Sequence, residues 1–169
     1  MYQERREEAE LAVTCSASLP NVDRFCGEAA DLLRSHGLAA EVFAVELLLR
    51  EVMNNAVLHG CQRDERRELF AMLTLTDETV VLQVTDPGPG FDWAQQLAAP
   101  DQPLSGSGRG MAILRGYAQE IDFNVAGNGV RLVRRCRAPV GGAPVGGAPA
   151  GGAPADTEPA IVANPGREA

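Results

Sequence analysis

The stretch Glu51-Val52-Met53-Asn54-Asn55-Ala56-Val57-Leu58-His59-Gly60 closes a longer apolar run that begins near Ala40. Val42, Val45, Leu48, Leu49, Val52, Met53 and Ala56 recur at helical spacing, which predicts a helix over 40–58 or 40–59, ended by Gly60. Glu51 and Asn55 stand four apart and therefore share one helix face. A carboxylate and an amide one turn apart are both oxygen donors. They suit a magnesium–phosphate site, because Mg2+ prefers oxygen ligands and retains several waters. Asn55 can bind the ion without adding charge against phosphate, and Glu51 can take a proton from an attacking hydroxyl. Taken alone, the pair reads equally well as a solvated acid and a helix-end amide.

Working outward, residues 68–76 and Thr79–Thr85 alternate as two strands joined by a tight turn at Asp77-Glu78. Asp86-Pro87-Gly88-Pro89-Gly90-Phe91 follows directly. Its glycines allow close backbone approach, and a carboxylate at a strand end can accept a hydrogen bond from an exocyclic amine such as adenine's. An ordinary Asp-Pro-Gly turn has the same letters. Residues 91–107 look irregular. Ser105-Gly106-Ser107-Gly108-Arg109-Gly110-Met111 then opens a third helix reaching about Gln119. Unpaired N–H groups at a helix start attract phosphate, and glycines keep the backbone bare. A flexible hinge would also be glycine-rich.

Residues 121–125 and 130–136 read as a closing hairpin turned at Gly127-Asn128-Gly129. Upstream, 11–18 reads as a strand, and a helix capped by Asn21 or Asp23 runs to about Ser35, where Gly37 stops it. Helices in one layer against a sheet bury one face of each. The fold class is therefore α+β, a two-layer α/β sandwich with a mixed, mainly antiparallel sheet and helices on one face.

Composition narrows the chemistry. Of 169 residues, 45% are apolar, enough for one core, and the net charge is -8. An acidic chain argues against direct nucleic-acid binding, which needs a basic surface. All 15 basic residues are arginine. The absence of lysine excludes a Walker A loop, a protein-kinase strand lysine and Schiff-base chemistry. Cys15, Cys26, Cys61 and Cys136 form no C-x-x-C pair and read as free buried thiols. The first ten residues are charged, and no segment approaches the ~20 apolar residues of a membrane span. A cytoplasmic protein is expected. From Val140 the pentad V-G-G-A-P repeats, so 138–169 reads as a disordered Gly/Ala/Pro-rich tail.

The order and spacing of the three clusters resemble the GHKL ATPase superfamily of gyrase, Hsp90, histidine-kinase and MutL-type ATPases. Residues 51–60 resemble its N box, 86–90 its G1 box and 106–110 its G2 box. Within the superfamily, E-V-M-N-N-A-V-L-H-G at 51–60, D-P-G-P-G-F at 86–91 and S-G-R-G-M-A-I-L at 107–114 are similar to the small bacterial anti-sigma-factor serine/threonine kinases. The resemblance covers residues 8–137 as an ATP-binding domain and implies ATP and Mg2+ as cofactors, Glu51 as catalytic base, Asn55 as metal ligand and Asp86 as adenine reader. It implies further nucleotide contacts from Gly88, Gly90, Gly106, Ser107, Gly108, Arg109, Gly110 and Met111, and an ATP lid at 91–107. It also implies a sigma factor and a STAS-type anti-anti-sigma protein as partners, with phosphorylation of the latter releasing the former, and a homodimer. An alternative is an ATP-binding module that sequesters a partner without phosphorylating it. A sensor histidine kinase ranks low, because neither His36 nor His59 sits on a dimerising helix. Of the remaining residues, His59 reads as packing or helix-end, Trp93 as a local anchor, and Arg63, Arg66 and Arg67 as a solvated turn.

Overall fold

The computed structural model describes residues 1–93 and 109–136. In chain order these form β1 (Tyr2–Glu7), β2 (Glu10–Ser16), α1 (Leu19–Ser35), a 3-10 turn (Ala39–Glu41) and α2 (Val42–Asn55). A π-helical turn (Ala56–Gly60), β3 (Glu68–Leu75), β4 (Thr79–Thr85), α3 (Arg109–Tyr117), β5 (Glu120–Phe123) and β6 (Gly129–Arg135) follow. The strands make one six-stranded sheet in the order β1-β2-β3-β4-β6-β5, and every pairing among the described residues is antiparallel.

Period-2 alternation decides which sheet face is covered. Leu11, Val13 and Cys15 of β2, Leu69, Ala71 and Leu73 of β3, and Val80, Leu82 and Val84 of β4 are all buried on one face. Against it α1 lays Val22, Phe25, Cys26, Ala29, Leu32 and Leu33, an i, i+3, i+4, i+7 stripe. The stripe of α2 read from the sequence is in place, with Val45, Leu48, Leu49, Val52, Met53 and Ala56 buried and Val42 partly so. Each fully buried Leu or Met contributes roughly 1.5–3 kcal/mol. All four cysteines are free, and three are buried. No helix among the described residues is long and apolar enough to cross a membrane.

The structure adds one strand and moves several ends. Hairpin β1–β2 begins well before residue 8, where the domain was expected to start. The strand YQERRE has almost no apolar alternation; backbone pairing and charge hold it, with Arg5 bridging Glu7 and Glu10 and the Arg24 guanidinium 3.8 Å over the Tyr2 ring. Charged residues on an edge strand also discourage further pairing. Helix α1 starts at Leu19, not at 21 or 23, because Ser18 takes an extended cap and Pro20 fits the first turn. The tail at 138–169 lies outside the described residues.

Candidate functional site

The last turn of the central helical run departs from α geometry. After Asn55 the chain widens into the π turn Ala56–Gly60, which ends with Cys61 N–H on the Ala56 carbonyl at 2.7 Å and Arg63 N–H on the Val57 carbonyl at 2.8 Å. Gln62 and Arg63 then take positive φ values of 56° and 61°, costly for residues with a Cβ. Arg67 donates to the Gly60 carbonyl at 3.3 Å, and Arg66 closes on Asp64. The arginine group is therefore partly a support for this turn.

This run forms one wall of a cavity of about 450 Å³. Glu51, Asn55 and His59 line it from the helix, Asp86 and Gly90 from the loop after β4, and Gly110 and Met111 from α3. The Asn55 Nδ2 donates to Glu51 Oε1 at 2.9 Å. That bond fixes both side chains and leaves the Asn55 Oδ1 available as an acceptor. Gly110 meets the pair directly. A Cβ there would lie 2.2 Å from Glu51 Oε1 and 3.7 Å from Asn55 Nδ2. The second residue of α3 thus touches the acid–amide pair because it has no side chain.

Asp86 occupies the other end. Its Oδ1 accepts the Gly88 N–H at 2.7 Å. Burial pushes the Asp86 carboxyl above its ordinary value, and the Gly88 bond works in the opposite direction. Gly60 and Gly88 are packed against this carboxylate. A Cβ on Gly60 would sit 2.1 Å from Asp86 Cγ, and one on Gly88 2.6 Å from the Gly60 Cα. The end of the helical run and the Asp-Pro-Gly loop therefore interlock. Gly90 has φ 75°, and a Cβ there would collide with the Ala126 carbonyl at 1.7 Å.

Asn128 is the residue that sequence reasoning missed. Its Nδ2 donates to the carbonyls of Asp86 at 2.9 Å and Gly88 at 3.2 Å, and its Oδ1 accepts from Asn124 at 2.8 Å. Its own carbonyl takes the Asp86 N–H at 3.0 Å. The turn Gly127-Asn128-Gly129, read only as a hairpin turn, holds the loop that carries Asp86. Phe91 meets Phe123 edge-on at 5.4 Å, and Trp93 stacks on Phe123 at 6.0 Å, a local anchor as expected.

Of the residues singled out in the sequence, Glu51, Asn55, Asp86, Gly90, Gly110 and Met111 line one cavity. Gly88 packs behind Asp86, and Arg109 is the exposed first residue of α3. Gly106, Ser107 and Gly108, with most of the lid segment, lie outside the described residues. Among the described residues no cluster of three His, Cys, Asp or Glu side chains could hold a metal ion. An ion with one or two protein oxygens and a shell of water and phosphate fits the Glu51–Asn55 pair better than a closed cage would.

The histidine kinase-like ATPase domain family matches residues 15–134. The chain is 28% identical over 85 residues to an anti-sigma F factor of Shouchella clausii, covering 48% of this chain and 58% of that protein. It is 26% identical over 88 residues to an anti-sigma F factor of Bacillus licheniformis, covering 50% and 60%. It is 23% identical over 101 residues to an anti-sigma F factor of Bacillus subtilis, covering 56% and 69%. The chain spans about three fifths of the length of the first two of these curated relatives.

Proposed function

The chain belongs to the histidine kinase-like ATPase domain family, and from that premise we propose that it is an ATP-dependent serine/threonine protein kinase acting as an anti-sigma factor in the cytoplasm. Its partners are then a sigma factor and a STAS-type anti-anti-sigma protein, and it works as a homodimer. The observation that carries this reading is the hydrogen-bonded Glu51–Asn55 pair facing bare backbone at Gly110, in the same cavity as the Asp86 carboxylate. That the relatives are anti-sigma F factors supports the sigma-factor partner.

The proposal gives each of these residues a role. Asp86, desolvated and held by Gly88 and Asn128, accepts a hydrogen bond from the adenine amine. Asn55 offers its Oδ1 to Mg2+, and the unpaired N–H groups at the start of α3 face the phosphate oxygens. Mg-ATP, when bound, supplies the γ-phosphoryl group and offsets its charge. Glu51 accepts the proton of the partner's Ser or Thr hydroxyl as that oxygen bonds to the γ-phosphorus and the bond to the ADP leaving group breaks. Asn55 keeps the Glu51 carboxylate aimed by its 2.9 Å hydrogen bond.

A second reading has one observation in its favour: no Arg or Lys lines the cavity among the described residues. Developing negative charge on a transferring phosphoryl group usually meets a cation. In that reading the nucleotide is a structural ligand, and the chain only sequesters its partner. Transfer of labelled γ-phosphate from ATP to a STAS-domain protein decides between the two. Label on the partner's Ser or Thr supports the kinase; label absent while ATP binds and the sigma factor is retained supports sequestration.

A further inference from the structure

Two helix faces meet along a seam that ends at the acid–amide pair. Phe43, Leu47 and Glu51 follow each other at intervals of four on α2, and Gly110, Ile113 and Tyr117 share one face of α3. The Phe43 and Tyr117 rings meet edge-on at 6.1 Å at one end, and Gly110 meets Glu51 at the other. Leu47 and Ile113 fall midway along each face and are partly exposed, while Phe43 is 69% exposed. From Phe43 to Glu51 an apolar strip therefore runs along α2 for about 12 Å. Resting on the reading of Glu51 as the catalytic base, we propose that this seam binds the chain's own segment Thr157-Glu158-Pro159-Ala160-Ile161-Val162, and that Thr157 is an autophosphorylation site.

That segment lies outside the described residues, and its letters and its tether select it. Thr157 is the one hydroxyl-bearing residue in 138–169, and Ile161-Val162 is the one adjacent pair of large aliphatic residues there. Pro159 favours extended backbone at Glu158. An extended run from Thr157 to Ile161 covers about 13 Å, the length of the strip. With Ile161 against Phe43, the Thr157 hydroxyl reaches Glu51. Asp156 and Glu158 flank Thr157, and Arg109, exposed beside Gly110, supplies the opposite charge at that end. Arg134 holds both Glu41 and the Tyr117 carbonyl, so β6 ends close to Phe43. A Gly-rich linker the length of 137–160 spans about 25–30 Å, ample for this short return. Tethering sets an effective concentration on the order of millimolar, so a small apolar contact suffices. Glu51 takes the Thr157 hydroxyl proton as that oxygen bonds to the γ-phosphorus of ATP and the bond to ADP breaks, leaving phosphothreonine and ADP. The new phosphate then stands beside the Glu51 carboxylate, and repulsion releases the segment.

The test has two arms on the full chain. Ile113, Ile121 and Ile161 are its only isoleucines, so selectively labelled isoleucine methyls report docking by NMR without nucleotide. The Ile161 methyl should be shifted upfield by the Phe43 and Tyr117 rings and return to its random-coil position in Phe43→Ser. In the second arm the chain is incubated with magnesium and γ-labelled ATP, with no partner protein. Label should appear on Thr157 at a rate per chain that does not change with chain concentration. Thr157→Val should remove it. Phe43→Ser and Ile161→Ser should each slow it roughly tenfold while calorimetry finds ATP affinity unchanged. A random-coil Ile161 methyl in wild type overturns the proposal. So does a rate that rises with chain concentration, since the transfer would then run between copies. Label on a STAS-domain protein but none on Thr157 sinks this inference alone. If ATP does not bind, or neither protein gains label, the proposed kinase itself fails and takes this inference with it.

Discussion

Oε1 of Glu51 lies 2.2 Å from the point where a β-carbon on Gly110 would stand, so the carboxylate of α2 and the backbone of α3 meet with nothing between them. Gly110→Ala must push the two helices apart or turn the carboxylate away from Asn55. Neither group is part of the core, so the melting temperature should move by only a few degrees, while ATP binding measured by calorimetry falls at least tenfold. Unaltered ATP affinity in a folded Gly110→Ala variant would detach α3 from the site.

Glu51→Gln keeps the volume and a hydrogen-bond acceptor for Asn55 but cannot accept a proton. ATP binding should survive within a few-fold, and phosphoryl transfer to the partner should drop by about 10²–10⁴. A single-turnover assay beside the binding measurement separates the two effects.

Asp86 couples binding to pH. Burial raises its carboxyl, so the folded chain keeps a proton that the unfolded chain has already released. Stability from this group is present below the ordinary carboxylate range and is lost as pH rises through the raised value. Asp86→Asn escapes that loss. The variant should melt above wild type near neutral pH, with the gap closing towards about pH 4, and should bind adenine nucleotides at least tenfold more weakly. Melting curves across that range, with nucleotide titrations at neutral pH, check both halves.

Arg134 donates to Glu41 at 2.6 Å and to the Tyr117 carbonyl at the end of α3 at 2.7 Å, and Glu41 is only 6% exposed. Arg134→Ala leaves a buried carboxylate and a carbonyl without a donor, a loss of about 3–5 kcal/mol. The double variant Glu41→Leu with Arg134→Met should recover much of it. Urea unfolding of the three chains gives the comparison.

Gln62 and Arg63 sit in the left-handed region, two and three residues after the cavity-lining Gly60. Glycine relieves that strain at some cost in unfolded-state entropy, so Arg63→Gly should stabilise the chain by about 0.5–1 kcal/mol. A lower midpoint in urea for this variant would mean that the arginine side chain contributes more than its backbone costs.

Much of this arrangement was legible in the letters. Helical spacing from Val42 to Ala56 placed Glu51 and Asn55 on one face, and alternation in 68–76 and 79–85 located two neighbouring strands. The features that escaped are those set by distant partners. Strand β1 has too few apolar residues to show a period and forms because Cys15, Val13 and Leu11 offer a backbone edge. Asn128 looks like any turn residue until the register Thr85↔Gly129 brings it over Asp86. The π turn at 56–60 leaves no mark in the apolar pattern, because Ala56 and Val57 are buried in it as they would be in an α-helix.

The hydrogen bonds of Asn128 tie the Asp86 loop to the β5–β6 turn, whereas α3 reaches the cavity from the opposite side through its own contacts with Glu51 and Arg134. One end of the cavity is thus a socket tied to the β5–β6 turn and the other a wall held through Glu51 and Arg134, so base and phosphates meet separately anchored groups. The purine ring should seat at a rate common to adenosine and ATP, and a slower second phase should appear in stopped-flow traces only when phosphates are attached. Asn128→Ala would blur that separation by loosening the socket, and a single phase shared by every ligand would show that both sides move together.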